Sequence, residues 1–454
     1  MSTPKRYEYL FLGGGKGGKS LAMDLARKGK RVALIERGLI GGSCINVACI
    51  PSKTLIQNGR NMHTWRVASG EPVLRANMAN VHANIRSVVD GMIDSNRQAF
   101  VHSGLDLVIG SGTFIAPRRI VVRSSSGVEQ IFEGDNVYIN TGTVAAVPDI
   151  PGLREAHPLT HVEALSLETL PEKLVIIGGG YIGLEMAQAF RRLGSEVVLV
   201  HDMPRVAIRE DEDVSFEIQS AFEAEGISLK LGVHVVHVDG LTGKKVHVQL
   251  DDGSSIEGTH ILVATGRRPL TDNIGLDLAG VDRDRHGFIK VDDKLATTAE
   301  RTWAIGEVAG TPMFTHASFD DYRVLKAGIE GNLRNTTKRI IPYALFTDPE
   351  LGRIGLNETE AKMRDIPVNI AKLPMAAVPR ARTNGATRGF MKVLLEPASG
   401  RILGFTMLGS CAGEVMSVIQ MAMIGELHYS TVRDAIIAHP TFSEGLNLLF
   451  ATVK

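Results

Sequence analysis

The sequence predicts an α/β fold with two Rossmann-like dinucleotide-binding domains, followed by a C-terminal α+β domain. A glycine-rich turn between a strand and a helix at 13–18, and a second copy of that unit at 178–183, predict the two α/β domains. A different pattern of strands and helices from 341 onward predicts the third. The length of 454 residues agrees, because it suggests about three domains.

The first unit consists of an apolar strand at 9–12, a glycine turn, a helix around 21–26 and a β-rich run at 31–35. The turn matches G-x-G-x-x-G through Gly13, Gly15 and Gly18, a pattern that lets the backbone approach a pyrophosphate at the helix N-terminus.

The same turn also matches a P-loop. In that pattern, G-x-x-x-x-G-K-[ST], Gly13 and Gly18 would surround phosphate, Lys19 would bind it and Ser20 would hold magnesium. Glu36 favours the dinucleotide interpretation. It ends the next strand, 18 residues after Gly18, where a carboxylate binds a ribose hydroxyl.

The second unit repeats this order and lacks the Gly-Lys-Ser that would extend it to a P-loop. Its parts are a strand at 174–177, a turn with Gly178, Gly180 and Gly183, a helix to 191 and a strand at 197–200. The repeats therefore share only the dinucleotide fingerprint, which predicts two dinucleotide sites in one chain.

His201 occupies the ribose-selecting position of the second unit, 18 residues after Gly183. A carboxylate there would select a free 2′-hydroxyl, and a nearby arginine would select a 2′-phosphate. Asp202 follows His201, and Arg205 and Arg209 lie further on. The choice between NADH and NADPH therefore stays open.

Two of the three cysteines, Cys44 and Cys49, lie five positions apart, just before Pro51. Proline is favoured in the first turn of a helix, so both sulfurs are expected near a helix N-terminus, which favours the thiolate. A regular helix would separate them by about 7.5 Å along its axis, so a disulfide requires a distorted turn. The alternative is a pair of buried, unbonded cysteines.

The C-terminal segment shows strands at 368–374 and 389–395, helices at 411–424 and 431–437, and a closing helix from Pro440. The apolar run in 411–424 suits either core or a dimer face, and we expect Cys411 to be a small buried residue. His439 precedes the closing helix, whose first turn carries Glu444, an arrangement that can orient an imidazole for acid/base chemistry.

Composition restricts the remaining possibilities. Basic and acidic residues balance at 50 each, so nothing indicates a nucleic-acid or membrane partner. Three cysteines make no disulfide framework, the first nine residues resemble no signal peptide, and no run of about 18 apolar residues occurs. We expect a cytoplasmic protein.

Several motifs together resemble the pyridine nucleotide-disulfide oxidoreductases. They are the two glycine fingerprints, Cys-Ile-Asn-Val-Ala-Cys-Ile-Pro-Ser-Lys at 44–53, Ala-Thr-Gly-Arg-Arg-Pro at 264–269, Ala-Ile-Gly-Glu at 304–307 and His-Pro-Thr-Phe-Ser-Glu at 439–444. The resemblance implies an FAD-containing enzyme that uses NADH or NADPH, with a C-terminal domain that forms a homodimer. It implies an FAD-binding domain at 1–148 with a return segment at 269–340, an NAD(P)-binding domain at 149–268 and a dimerisation domain at 341–454.

The resemblance also assigns roles. Cys44 would exchange with the substrate and Cys49 would face the flavin. Lys53, paired with Glu185, would lie near the flavin's reactive nitrogen, and His439, held by Glu444, would serve the partner subunit's site. The implied cofactor-binding residues are, for FAD, Gly13, Gly15, Gly18, Glu36, Gly42, Ser43, Lys53, Thr141, Gly142, Gly306 and Glu307, and for the nicotinamide nucleotide, Gly178, Gly180, Tyr181, Gly183, His201 and Gly266.

Departures from the family pattern keep the electron acceptor open. Glu307 stands in place of the usual aspartate and His201 in place of glutamate, and the chain has no C-terminal cysteine pair of the mercuric reductase kind. The main expectation is an enzyme of dihydrolipoamide dehydrogenase type acting on a small disulfide or dithiol. The run at 319–323 and the Pro-Arg-Ala-Arg run at 379–382 resemble instead a branch that reduces copper(II) and responds to reactive chlorine. A flavin redox sensor without turnover is a third possibility, and no resident metal is expected.

Overall fold

The computed structural model describes residues 3–70 and 75–453. The β-strands are β1 Lys5–Leu12, β2 Val32–Glu36, β3 Asp106–Ile109, β4 Ser111–Ala116, β5 Arg119–Arg123, β6 Glu129–Ile139, β7 Thr143–Ala145, β8 Lys173–Ile177, β9 Glu196–His201, β10 Ser228–Leu231, β11 Val235–Leu241, β12 Lys245–Leu250, β13 Ser255–Gly258, β14 His260–Val263, β15 Arg267–Pro269, β16 Thr302–Ala304, β17 Tyr343–Leu345, β18 Leu351–Gly355, β19 Asn369–Pro374, β20 Phe390–Leu395 and β21 Ile402–Leu408.

The α-helices are α1 Lys16–Arg27, α2 Ser43–Asn46, α3 Cys49–Ser69, α4 Met78–Ser103, α5 His161–Ala164, α6 Tyr181–Leu193, α7 Glu212–Ala224, α8 Leu276–Ala279, α9 Thr315–Ile329, α10 Glu358–Met363, α11 Pro379–Thr383, α12 Ala412–Ile424, α13 Tyr429–Arg433 and α14 Gly445–Ala451. Short 3-10 helices span Gly306–Ala309 and Met375–Ala377. Among the described residues, no helix is both long and apolar enough to cross a membrane.

The chain divides into two compact units. Unit 1 comprises Met1–Thr54, Ala79–Ala146 and Gly266–Arg339, and unit 2 comprises Leu55–Met78, Val147–Thr265 and Ile340–Lys454. Each is described by itself below.

Unit 1 is built on a seven-stranded sheet in the order β3-β2-β1-β6-β5-β4. One edge of β6 pairs with β1, while its other edge pairs first with β5 and then with β16. Both faces are covered, because Leu10 and Leu12 of β1 pack into one apolar cluster and Phe11 into another that includes α1. Phe11, Tyr138 and Trp303 stack across three neighbouring strands at 4.7 and 5.1 Å.

Unit 2 contains the second α/β unit as a parallel sheet, β10-β9-β8-β14, and a three-stranded meander, β11-β12-β13. It also contains the C-terminal α+β segment, a five-stranded antiparallel sheet in the order β17-β18-β21-β20-β19. Residues from that sheet, α12 and α14 share one apolar core. This confirms the predicted fold class.

Two C-terminal elements differ from the sequence prediction. The helix expected at 431–437 is α13, which ends at Arg433. The closing helix begins at Gly445 rather than Pro440, which makes Glu444 its N-cap residue. Between them, Thr441 Oγ1 donates to Ala438 O and accepts from Glu444 N, so a side-chain-bonded turn replaces the first helical turn.

Candidate redox and dinucleotide sites

The first glycine turn packs beneath the residue that follows β6. Gly13 has φ +100°, and its N–H donates to Ile35 O at 2.8 Å. Asn140 Oδ1 accepts from Gly18 N at 3.1 Å, and a Cβ at Gly15 or Gly18 would lie 2.6 or 2.7 Å from that oxygen. Only glycine fits these positions.

The P-loop alternative does not survive in this geometry. The Lys19 side chain is only 4% exposed, and its Nζ donates to Gly41 O at 2.9 Å and to Asn96 Oδ1 at 2.5 Å. Ser20 Oγ donates to Lys16 O at 2.7 Å. Neither group is directed to a phosphate and its magnesium in the way that a P-loop requires.

Glu36 faces the first glycine turn, at the end of β2. One carboxylate oxygen accepts from Gly14 N at 2.8 Å, and the other accepts from Gly38 N at 3.0 Å and Leu39 N at 3.1 Å. The side chain is buried at the end of β2, the position from which a dinucleotide fold binds ribose.

Four further residues of unit 1, in two segments, belong to the same predicted FAD site. Gly42 packs on the glycine turn so closely that its Cβ would lie 2.9 Å from Gly15 Cα. Ser43 opens α2, and Thr141 and Gly142 follow β6. With the N-terminus of α1, whose N-cap Gly15 has no side-chain cap, they form a glycine-lined surface that fits the close approach of a dinucleotide pyrophosphate.

Glu307 is held by two residues that the sequence reasoning did not connect with it. Its Oε2 accepts a hydrogen bond from Thr143 Oγ1 and lies 3.3 Å from Arg267 Nε, with side-chain exposures of 22% for Glu307 and 11% for Arg267. Thr143 and Arg267 reach it because β7 and β15 pair antiparallel.

The preceding residue, Gly306, donates its N–H to the fully buried Asp321 at 2.7 Å. Asp321 also accepts from Thr311 Oγ1 at 2.8 Å and from Arg339 at 2.5 Å, while burial raises its pKa. The run at 319–323 therefore includes a residue that fixes the backbone beside Glu307.

The second glycine turn repeats the construction of the first in unit 2. Gly178 has φ +115°, and its N–H donates to Val200 O at 2.8 Å, as Gly13 does to Ile35. It packs against Ala264, which follows β14 as Asn140 follows β6. Gly180 caps α6 without a side-chain hydrogen bond, and a residue larger than glycine at 183 would collide with Gly178 O. Gly266, with φ +145°, lies where the chain enters β15.

His201 ends β9, with its ring against Gly179 and only 12% of its side chain exposed. Burial lowers the pKa of its imidazole, while Asp202 at 3.0 Å acts in the opposite direction. Arg205 Nη1 donates to Glu210 O at 2.7 Å and to Ser215 Oγ at 2.9 Å. This guanidinium edge is therefore used within the fold.

Tyr181, the first residue of α6, is tied to a buried ion pair. Its hydroxyl donates to Glu210 Oε1 at 2.7 Å, and Arg353 Nε lies 3.0 Å from Glu210 Oε2. Burial raises the pKa of both Glu210 and Tyr181. Sequence spacing gave no indication of this network, because its members come from α6, the loop before α7 and β18.

Cys44 and Cys49 lie at a break between two helices. Cys44 is the second residue of α2 and Cys49 the first of α3, with Val47 and Ala48 between the helices. This break is the distortion that a contact between the sulfurs requires, and the two thiols are hydrogen-bonded. Both side chains are half-buried.

The sequence predicted that the helix N-terminus would favour the thiolate of Cys44, but the surroundings of this thiol favour its protonated form. Its hydrogen bond with Cys49, followed by burial, raises the pKa of the Cys44 thiol well above its usual value. Thr315 and Lys19 act in the opposite direction. Cys49 Sγ lies 3.4 Å from Thr315 Oγ1, at the start of α9, a contact that the sequence reasoning missed.

Lys53 lies one turn further along α3, in unit 1, and Glu185 lies on α6 in unit 2. Glu185 is buried and accepts from Phe346 N at 3.1 Å. Their pairing remains a prediction.

His439 and Glu444 are adjacent in space. His439 Nδ1 lies 2.8 Å from Glu444 Oε2, the carboxylate side chain is 11% exposed and the imidazole is 72% exposed. Glu444 therefore fixes the tautomer of the imidazole with the proton on Nδ1, and the ring that carries the other nitrogen, Nε2, is exposed.

Helix α12 has both a face that packs in the core and an exposed apolar face, the two alternatives that its apolar sequence allowed. Val415, Met416 and Ile419 belong to the core of unit 2, whereas Met421 and Ile424 are exposed. The expectation that Cys411 is buried was wrong. It is exposed, because it occupies the left-handed turn (φ +62°) that caps α12.

One acidic cluster lies apart from the predicted sites. Ligand atoms of Asp211, Asp213 and Glu358 lie within 4.8 Å of one another, the only such group of three metal-ligating side chains in the part of the chain described. The ammonium of Lys392, 1% exposed, lies among them at 2.9, 2.9 and 2.6 Å. This lysine supplies the positive charge that the cluster needs.

Comparison with known proteins places these features in one family. The pyridine nucleotide-disulphide oxidoreductase model matches residues 7–321, and the dimerisation domain model of the same family matches 341–449. A probable pyridine nucleotide-disulfide oxidoreductase, RclA of Escherichia coli, is 34% identical, over 99% of this chain and 100% of that protein's length. A mercuric reductase of Bacillus cereus is 32% identical over 98% of this chain and 71% of its own. A dihydrolipoamide dehydrogenase of Chaetomium thermophilum is 31% identical, over 98% of this chain and 90% of that protein's length.

The solved structures give the same result. A Cu(II) complex of the HOCl-induced flavoprotein disulfide reductase RclA from Escherichia coli superposes with a TM-score of 0.92 at 33% identity, covering 99% of this chain and 100% of that one. The chain belongs to the pyridine nucleotide-disulfide oxidoreductases, enzymes that use FAD and NAD(P)H.

Proposed function

We propose that this protein is an NAD(P)H-dependent disulfide reductase of dihydrolipoamide dehydrogenase type, in which Cys44 and Cys49 form the redox pair. The observation that carries the proposal is the contact between the two thiols at the start of α3, in the unit that also contains the first glycine turn. A pair that is hydrogen-bonded as dithiol is already close to the geometry of the disulfide.

The FAD would be held by the cradle of Gly13, Gly15, Gly18 and Gly42, with Glu36 on its ribose. Ser43, Thr141, Gly142, Gly306 and Glu307 complete the proposed set. Bound FAD supplies the two-electron relay between the nicotinamide nucleotide and the cysteine disulfide.

The nicotinamide nucleotide would be held by the second turn through Gly178, Gly180 and Gly183. Tyr181 would cover its nicotinamide end, and Gly266 completes the proposed set. We assign a preference for NADH over NADPH to this site. The exposed carboxylate of Asp202 repels a 2′-phosphate. Burial lowers the pKa of His201 and so disfavours the imidazolium that would attract that phosphate, and Arg205 uses one edge of its guanidinium within the fold.

The chemistry at sulfur follows from the positions of the two thiols. Cys44 as thiolate attacks a substrate disulfide, forming a mixed disulfide and releasing one substrate thiolate. Cys49 then attacks Cys44 Sγ, closing the Cys44–Cys49 disulfide and releasing the second substrate thiolate. Two electrons leave the cysteine pair, and the two leaving thiolates each take a proton.

His439 is the proposed proton carrier. Glu444 accepts from Nδ1–H, which fixes the tautomer and leaves the other ring nitrogen to give or take a proton. We place this nitrogen in the site of a second subunit, because the imidazole is exposed and the segment belongs to a dimerisation domain. The exposed apolar side chains of α12 supply a surface for that homodimer.

A second candidate is reduction of copper(II), favoured by the full-length similarity to a protein solved as a Cu(II) complex. Here the dithiol would give one electron to each of two copper(II) ions, yielding the disulfide, two copper(I) ions and two protons. This reaction has no leaving thiolate to protonate, so it does not require His439.

The two candidates separate in one experiment. NADH oxidation by the purified holoenzyme is measured with lipoamide and, separately, with copper(II), for wild type and His439→Gln. Disulfide reductase function predicts lipoamide turnover that the substitution lowers by about 100-fold or more. Copper(II)-dependent oxidation that is insensitive to His439→Gln, together with no lipoamide turnover, would establish the second candidate instead.

A further inference from the structure

Lys19 is a buried cation that has no role in the reaction proposed above. It follows the last glycine of the first fingerprint, is 4% exposed, and contacts two neutral oxygens, Gly41 O and Asn96 Oδ1. Burying a charged ammonium is unfavourable unless a charge of opposite sign compensates it. No carboxylate lies within ion-pair distance of Nζ among the described residues.

The position of Lys19 relates it to the redox pair. Its partner Gly41 lies three residues before Cys44, and the two contacts join this loop to α4. Besides burial, Lys16 on the same helix and the thiol of Cys44 act on the pKa of Lys19. Burial, followed by the charge of Lys16, lowers the pKa of Lys19 to about 8, and interaction with Cys44 acts against that change. The same interaction lowers the pKa of Cys44.

We propose that Lys19 is a positioning residue of the redox pair, whose buried positive charge stabilises the thiolate of Cys44 in the reduced enzyme. A thiolate is the anion that this cation otherwise lacks. Opposite charges in a buried site attract more strongly than in water, so the effect acts without direct contact. The inference rests on the proposed role of Cys44.

A structural tether would also explain the two hydrogen bonds, and two substitutions separate it from the electrostatic role. Lys19→Met removes both the tether and the charge. Asn96→Asp keeps the tether and gives Lys19 a carboxylate partner, so it cancels the charge without loss of volume. Lys28→Met, at the exposed C-cap of α1, makes the same change of net charge away from the site.

The measurement is the rate of iodoacetamide alkylation of Cys44 in the NADH-reduced holoenzyme at pH 7, with the modified cysteine identified by peptide mass spectrometry. The number of thiols gained on reduction is recorded first, and the flavin absorbance spectrum of each variant serves as the folding control. We expect about a tenfold slower reaction in Lys19→Met and in Asn96→Asp, equivalent to one unit of thiol pKa, and a change below about twofold in Lys28→Met.

The possible outcomes separate failure of the proposed function from failure of the role proposed for Lys19. If NADH exposes no additional thiols, the proposed function fails. If thiols appear but Asn96→Asp reacts at the wild-type rate, Lys19 is only a tether and the inference fails. Should Lys19→Met not bind FAD, the Asn96→Asp result decides alone.

Discussion

His439 Nδ1 lies 2.8 Å from Glu444 Oε2, and the carboxylate is nearly buried while the imidazole is 72% exposed. Orienting a histidine in this way suits proton transfer to a group outside its own fold.

Glu444→Gln tests that orientation. The amide can no longer fix the charged imidazolium, so we expect kcat for lipoamide to fall by about 10-fold to 100-fold, with KM changed less. Steady-state kinetics measure it. Glu396→Gln, a surface carboxylate of the same C-terminal segment, is the control. Equal effects of the two substitutions would contradict the role of Glu444.

Arg267 should support FAD binding through Glu307. Arg267→Met leaves a partly buried carboxylate without its cation, and we expect about 1–3 kcal/mol of lost stability in the FAD-bound state. The temperature at which FAD is released, followed by its fluorescence during heating, measures this stability. Arg268→Met removes the neighbouring, 54% exposed arginine, which pairs with the exposed Asp272, and should shift release far less. Similar release temperatures for the two variants would count against the Glu307 site.

Asp202 should bias the second site toward NADH. We expect Asp202→Asn to raise the NADPH-to-NADH ratio of kcat/KM about fivefold, since one exposed charge contributes about 1 kcal/mol. His201→Glu should shift the ratio toward NADH. Asp252→Asn, an exposed carboxylate of the same unit, is the control. If neither Asp202 nor His201 changes the ratio, specificity is set elsewhere.

Lys392 should be a large contributor to the stability of unit 2. Lys392→Met leaves the carboxylates of Asp211, Asp213 and Glu358 without their shared cation, and we expect a loss of about 3–5 kcal/mol in the free energy of unfolding at pH 7. Denaturant unfolding measures it. Lys372→Met removes a lysine that is 43% exposed and pairs with Asp213, and it should lose about 1 kcal/mol or less.

The stability lost in Lys392→Met should depend on pH in a predictable direction. Burial alone would raise the pKa of Asp211 and Asp213, but hydrogen bonds from lysines hold both values below normal. Their contribution is therefore present above the unfolded pKa of about 3.9 and is lost as pH falls through the folded values. The difference between wild type and Lys392→Met should shrink below about pH 4, and a difference that grows there would contradict the ion-pair account.

The sequence predicted the repeated features of the molecule well. The two glycine turns pack as the fingerprint requires, because close approach of backbone to backbone admits only glycine at Gly13 and Gly178. The break in the helix at Cys44 and Cys49 was also implied by their spacing. These features depend on residues that are close along the chain.

Features built from distant segments escaped prediction. Thr315 beside Cys49, Arg267 beside Glu307 and Lys392 among its carboxylates each join residues more than 30 positions apart. Cys411 was misjudged because burial was inferred from residue type, whereas its left-handed backbone at the cap of α12 places it at the surface.

The number of free thiols in the holoenzyme before and after anaerobic addition of NADH tests the central claim most directly. If Cys44 and Cys49 are the redox pair, the oxidised wild type should gain two reactive thiols, both mapped to the 44–49 segment, and Cys44→Ser should gain none. An unchanged thiol count in a wild-type enzyme whose flavin is fully reduced by NADH would contradict the claim.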